Sequence, residues 1–490
     1  MQDSSHPTTR SRRCASGSRP IRPWSAALLA LAMLALSGCA SRQAGSPATR
    51  EQAAPLPSST PASPLANWWQ HFNDPTLSAL VAQALQASPD VQRAQAALQQ
   101  ADALAVQQHA QRWPHLTLAA SAQRSQTGDA ATSQRFQTAL DARWNPDLAG
   151  GLGSAARASL ADAAAAAASL ADVQVKLAAE LALTYIDLRG LQARLGHAQS
   201  QLQVQSEALQ IARWRAQAGL GTAQDIERAL QASAQSSAQV PPLHIGIEQA
   251  LHRLAVLSGQ LPGSLPGSLR DPASIPLPQP DLAQAFAADT LRQRADVRAA
   301  EYRVSAAWAR LAQAQAARQP SFSLSGSLGL SALGLGALSG GSALASALLA
   351  GISLPLFDAG AAQAQADAQQ AAWEQARAHL RASVLSALQE VQDALVSLRG
   401  NTERLQHEQA ALAAARQAEH LSALRLQAGL IDVSDLLDAQ RGRHAAQDSL
   451  TATQARLSAD HVHLYLALGG GWRPSVTAHP PAKAAQRSSS

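Results

Sequence analysis

The chain has 490 residues, room for two or three domains, with only 15% charged and 3% aromatic residues. An ordinary aromatic-rich globular core is excluded; abundant Ala, Gln and Leu instead favour long, closely packed helices. The formal charge of +5 includes five arginines (Arg10, Arg12, Arg13, Arg19 and Arg22) ahead of the first apolar run, so it gives no support for a nucleic-acid partner.

The basic segment leads into an apolar run from Trp24 to Leu36, which ends Leu36-Ser37-Gly38-Cys39. Basic, apolar and small residues in that order make a secretory signal over 1–38. Its end resembles a bacterial lipobox, which implies that Cys39 becomes the first residue and carries covalent lipid. The only other cysteine, Cys14, lies in the leader, so no thiol is left for a disulfide. Residues 39–66 are rich in Pro, Ser and Ala and read as a flexible tether. No later apolar run is long enough to cross a bilayer as a helix, so a mature chain that crosses one does so with strands.

Two halves, 67–260 and 281–470, flank a Pro/Gly-rich linker at 261–280, and residues 471–490 read as a disordered tail. The halves repeat each other. Asp90 precedes Pro114 as Asp296 precedes Pro320, and beyond that point the match holds at a constant offset of 210. Gly150 matches Gly360, Leu188-Arg189-Gly190 matches Leu398-Arg399-Gly400, and Gln217-Ala218-Gly219-Leu220 matches Gln427-Ala428-Gly429-Leu430. This is a tandem duplication.

Each half reads as helix, two strands, long helix, turn, helix. Phe322, Leu324, Leu328 and Leu330 alternate with serines and Gly329; Phe136, Thr138, Leu140 and Trp144 alternate with Gln137, Asp141 and Arg143. Strands are expected near 115–123, 136–144, 321–330 and 347–356. One apolar and one polar face suits a membrane β-barrel, and four strands cannot close one alone without leaving backbone groups unpaired in lipid. The long helices carry heptads: Leu181, Leu188, Leu195, Leu202 and Leu209, answered by Val391, Leu398, Leu405 and Leu412. A helix from about Gly153 to Gln217 is roughly 95–100 Å long at 1.5 Å per residue.

Asn67-Trp68-Trp69-Gln70-His71-Phe72-Asn73-Asp74-Pro75, Ser88-Pro89-Asp90-Val91 and Leu354-Pro355-Leu356-Phe357-Asp358-Ala359-Gly360 resemble signatures of TolC-like outer-membrane factors, in the lipoprotein branch typified by OprM and NodT. The resemblance covers nearly all of 64–470. It implies a mainly α tandem-repeat protomer that trimerises into a β-barrel on a periplasmic α-helical barrel. It also implies the outer duct of a tripartite exporter, with a periplasmic adaptor (membrane fusion protein) and an inner-membrane pump of the RND type. In this reading Gly219, Leu220, Gly429 and Leu430 are the helix-turn-helix tips that the adaptor grips. Asp225, Asp435 and Asp438 match the aspartates of the periplasmic gate. Thr222-x-x-Asp225 and Asp432-x-x-Asp435 also resemble helix capping boxes, and the two roles are compatible. The chain departs from the family type at Ile431 and Leu426, where a gate arginine and tyrosine are expected; Arg215, Arg425 and Arg228 are candidate substitutes.

No catalytic constellation and no cofactor beyond the lipid on Cys39 are expected. His461-x-His463 points to nearly opposite sides of a helix and lacks companion ligands, so no metal site is expected. Gly334-x-Gly336 with Gly340-Gly341 lies between strands, outside the setting of a phosphate loop, and reads as an extracellular loop. The alternative to a duct is a structural coiled-coil lipoprotein spanning the periplasm without a channel, which would not need paired alternating strands.

Overall fold

The computed structural model describes residues 64–126, 128, 132–278, 294–334 and 344–470. Cys39, most of the tether, the C-terminal tail and loop glycines Gly336, Gly340 and Gly341 lie outside the described residues. A 3-10 segment, Pro64–Phe72, precedes α1 (Pro75–Ala87), α2 (Pro89–Ala110), β1 (His115–Ser125), β2 (Ser133–Trp144), α3 (Gly151–Gln217) and α4 (Ala223–Leu257). The second half supplies α5 (Ala295–Ala316), β3 (Ser321–Ala332), β4 (Leu344–Ser353), α6 (Ala361–Gln427) and α7 (Val433–Ala467).

The duplication is visible in three dimensions. The long helices α3 and α6 each have 67 residues, α4 and α7 each have 35, and α2 and α5 each have 22. At about 1.5 Å per residue the long helices extend roughly 100 Å. Aspartates start both: Asp147 accepts from the Leu152 amide at 3.0 Å, and Asp358 accepts from the Ala362 amide at 2.8 Å, relieving unpaired N–H groups of the first turn. Asp358 is thus the structural reason for its place in the Leu354–Gly360 motif.

The four strands form one antiparallel sheet in the order β1-β2-β3-β4. The fourth strand ends at Ser353 rather than near 356, because Pro355 has no N–H to give a ladder. It also begins earlier, at Leu344, and β2 begins at Ser133.

Four aromatic side chains, Trp68, Trp69, Phe72 and Tyr465, gather where the N-terminal signature docks. Trp68 is fully buried, stacked on Tyr465 of α7 with centroids 5.5 Å apart and edge-on to Trp69 and Phe72. Asp74 caps α1 and accepts a 2.7 Å hydrogen bond from the Tyr185 hydroxyl of α3. The Pro/Gly linker is strapped down rather than loose over its described part. Gln192 donates to the Leu269 carbonyl (2.8 Å), Arg189 to the Asp271 carbonyl (2.8 Å) and Ser458 to the Pro276 carbonyl (2.6 Å).

The two long helices share a length but not an environment. Along α3, heptad residues Leu181, Leu188 and Leu209 are buried with a near-continuous alanine stripe, because α2, α4, α5 and α7 all pack against it. On α6 only Ala366, Ala387, Ala394 and Leu412 are buried, and its packing partners are α5 and α7. Val396 on α6 is 68% exposed, as no neighbour among the described residues covers that face.

Candidate functional site

The sheet has two chemically distinct faces, aligned from strand to strand by the register, with Arg124, Gln134 and Ser346 interrupting the apolar face and Leu349 the polar one. Leu118 pairs with Leu140 and Leu140 with Leu328; Phe322 pairs with Ile352; Leu330 pairs with Leu344. On the other face Thr117 pairs with Asp141 and Asp141 with Ser327, while Ser121 pairs with Gln137 and Gln137 with Ser331. Alternation within each strand has therefore been kept in phase across all four, which requires the register to be fixed to the residue. Leu118 and Leu348 are 72% and 79% exposed, so the apolar face is uncovered by the described residues. Strands of 10 to 12 residues, tilted by about 45°, match an apolar band roughly 25–30 Å tall. No strand among the described residues pairs with the outer edge of β1 or of β4.

Aromatic residues mark the helix-proximal ends of the strands. Trp113 precedes β1, Trp144 ends β2 and donates from Nε1 to the Arg112 carbonyl at 3.0 Å, Phe322 is the second residue of β3, and Phe357 follows β4 at 90% exposure. Tryptophan and phenylalanine at one level of a barrel suit the boundary between hydrocarbon and headgroups. The strand patterning alone does not point to this belt, but its signal lies in the sequence: each of these aromatics is within four residues of a strand end.

At the opposite end of α3 and α6 lie the two tips. Gly219 and Gly429 hold φ of 72° and 71°, and the helix ends close by the same hydrogen bonds. The Leu220 amide donates to the Arg215 carbonyl at 2.8 Å, and the Leu430 amide to the Arg425 carbonyl at 2.9 Å. A left-handed residue followed by this wider bond is the glycine-terminated helix end, which strongly disfavours a Cβ at both positions. Leu220 and Leu430, next in sequence, are 72% and 69% exposed.

The four acids past the tips are not equivalent. Asp225 completes a capping box with Thr222: its carboxylate accepts from the Thr222 amide (2.9 Å) and hydroxyl (2.8 Å), and Thr222 accepts from the Asp225 amide. Those hydrogen bonds hold its carboxyl below the ordinary aspartate value, helped by the charges of Arg228 and Arg215. Asp432 occupies the matching cap position of α7 but makes no capping hydrogen bond. Asp435 is exposed in the first turn of α7, and Asp438 is paired with Arg441 on its own helix. Asp225 thus sits on one hairpin, and Asp435 with Asp438 on the other. Ile431 is half-buried at the second tip and Leu426 half-buried one turn before it, so neither place offers a polar latch. Arg425 tops the second tip through its backbone carbonyl.

Proteins of known sequence and structure share this architecture. The family model described as outer membrane efflux protein matches residues 80–260 and 287–470. The pyoverdine export outer membrane protein OpmQ of Pseudomonas aeruginosa is 31% identical over 432 residues, covering 84% of this chain and 89% of that protein. The solved outer-membrane channel OprN is 35% identical with a TM-score of 0.79, over 84% of this chain and 93% of that one. The outer membrane protein VceC of Vibrio cholerae is 29% identical with a TM-score of 0.77, over 83% and 99%. A one-sided four-strand sheet, duplicated helices of matching length and a family match to both repeats lead to one conclusion: the chain belongs to the outer membrane efflux protein family.

Proposed function

We propose that three copies of this outer-membrane efflux protein assemble into one passive exit duct for small molecules. Each copy contributes four strands to a shared β-barrel and its long helices to a periplasmic α-helical barrel. The observation that carries this reading is the sheet: one apolar face, one polar face and two unpaired edges. In lipid such edges leave backbone groups unsatisfied, and pairing β4 of one copy with β1 of the next removes them. The bare face of α6 supports the same assembly. Within the chain, α7 packs on α3 so closely that a Cβ on Gly190 would lie 3.1 Å from that of Ala455. Carried by the offset of 210, that contact becomes Gly400 of α6 against Ile245 of the next copy's α4, and Ile245 is 58% exposed.

In this reading the tips at Gly219, Leu220, Gly429 and Leu430 receive a periplasmic adaptor, which links the duct to an inner-membrane pump of the RND type. Covalent lipid on Cys39 anchors the chain in the outer membrane. Asp225, Asp435 and Asp438 ring the periplasmic end of the lumen and favour cations there. The chain supplies a passage and performs no catalysis; selection of cargo lies with the pump. A spacer lipoprotein without a channel would have no use for a sheet of this sidedness.

Two measurements test the duct. Gly400→Cys combined with Ile245→Cys should yield disulfide-linked chains up to the trimer, with no competing thiol once Cys39 is acylated. The purified trimer should also conduct in planar bilayers. Monodisperse monomer with intact strands, or a trimer that never conducts even with altered tips, would overturn the reading.

A further inference from the structure

About twenty residues above the first tip, α3 and α7 meet along a polar seam, the main contact between the hairpins α3/α4 and α6/α7. Arg194 of α3 grips Asp448 of α7 with two hydrogen bonds, 2.7 and 3.1 Å. Below it a chain of contacts fixes the protonation state of two histidines. Arg443 lies against the Glu419 carboxylate of α6 and donates from one terminal nitrogen to Gln447 Oε1 at 3.2 Å. That bond sets the orientation of the Gln447 amide, so its nitrogen, a donor only, faces His197 Nδ1 at 3.3 Å. His197 Nδ1 must therefore accept, which leaves Nε2 to carry the hydrogen toward Thr451 Oγ1 at 3.2 Å. The other terminal nitrogen of Arg443 lies 2.6 Å from His444 Nε2, so this ring too must accept from a group that can only donate. Both imidazoles are held neutral by donors that one arginine organises.

We propose that this seam is a proton-operated clasp: protonation of His444 and His197 breaks its contacts and frees the second hairpin to shift against the first. A proton on His444 Nε2 would point at the Arg443 guanidinium, and one on His197 Nδ1 at the Gln447 amide hydrogens; each replaces a hydrogen bond by repulsion. The seam offers little to resist the shift. Within the clasp and between it and the tips, Gln201 Oε1, both amide atoms of Gln205, Gln440 Oε1 and His444 Nδ1 are buried without a hydrogen-bond partner among the described residues. Such groups lose nothing when water reaches them. Arg443 and Asp448 on α7 are the charges that act on the histidines; around them lie Arg194 on α3, which couples to Asp187, and Glu408 and Glu419 on α6. Glu419 is engaged by Arg443, Asp448 by Arg194, and Glu408 by Arg404 and Ser449. Burial first, then the charges of Arg443 and His197, push His444 down to about 4. Burial lowers His197 as well, with Arg443 adding to the effect and Asp448 opposing it. A depressed value in the closed seam means that closure is favoured above the ordinary histidine value of about 6.5 and is lost as pH falls toward 4. The consequence for transport rests on the duct reading, because the clasp joins the hairpin carrying Asp225 to the hairpin carrying Asp435 and Asp438.

Hydrogen exchange on the purified full-length protein tests the clasp directly, with rates corrected for the intrinsic effect of pH. Protection of residues 194–209 and 440–451 should fall about tenfold between pH 7.5 and pH 5. His444→Gln should remove most of that fall, and His197→Asn a smaller part; the second variant serves if the first does not assemble. Equal protection at both pH values in the unaltered protein would overturn the proposal. So would an undiminished fall in both variants, which would place the proton on a carboxylate instead. Bilayer conductance at the same two pH values separates the readings: exchange that responds while no current flows at either pH sustains the clasp and removes the duct.

Discussion

Trp68 offers a sharp test of how the N-terminal signature is held. Its ring is fully buried between Tyr465, Trp69 and Phe72, yet its Nε1 has no hydrogen-bond partner among the described residues. Removing a buried tryptophan to alanine ordinarily costs about 3–5 kcal/mol through lost transfer and the cavity left behind. Ring–ring contacts add about 0.5–1.5 kcal/mol. Against this, the alanine variant no longer buries an unpaired N–H, which returns about 1–3 kcal/mol. The net expectation for Trp68→Ala is a loss of about 3 kcal/mol, felt locally by the 3-10 segment and α1. Trp68→Phe keeps a ring and discards the unpaired N–H, so it should cost under about 1 kcal/mol. Hydrogen exchange of residues 68–87 reads this as local opening: protection should drop by roughly two orders of magnitude in the alanine variant and by less than about fivefold in the phenylalanine variant. Equal losses in the two variants would mean that the indole N–H carries the docking, and the packing account would be wrong.

Three further predictions address other parts of the molecule. Replacing Asp435 and Asp438 together by alanine should weaken cation preference and block by divalent cations in single-channel recordings while leaving trimer yield unchanged; unchanged selectivity would reduce both to helix-end acids. Gly219→Ala or Gly429→Ala should cost about 1–2 kcal/mol in the strained left-handed conformation, although the space for the methyl is open, and adaptor capture should fall before barrel assembly does. Arg294 is 8% exposed and donates to Asp296, Glu390 and the Ala467 carbonyl, so Arg294→Met should destabilise the second half by about 2–3 kcal/mol at neutral pH, discounted for its partly exposed partners. Burial alone would raise the Asp296 carboxyl, but the Arg294 contacts overcome this and hold it below its ordinary value. Its contribution is therefore present above the ordinary aspartate range and lost as pH falls below it; acid titration of melting temperature should show that loss in the native chain and a flatter profile in Arg294→Met.

Much of this architecture follows from sequence because it is periodic. Alternation fixes which strand residues share a face, heptads fix the helix stripe, and the duplication carries each assignment from one half to the other. The tip glycines are likewise legible, since a left-handed helix end admits few other residues. Position along the chain could not say where identical elements would be buried. Helices α3 and α6 have the same length and related heptads, yet only α3 is enclosed, because α2, α4, α5 and α7 converge on it. Nor could sequence separate Asp225 from Asp435: both follow a tip by the same spacing, and only the fold shows Thr222 engaged by one while Asp432 leaves the matching cap unmade. The seam at His197 and His444 was invisible for a further reason. Its residues come from three helices as far apart as Arg194 and Asp448, and the protonation of each ring depends on which way the Gln447 amide is turned, a matter settled by a single contact from Arg443. Local rules determine what each segment becomes; the choice of partner, and with it the charge a side chain can hold, arises only when distant segments are packed together.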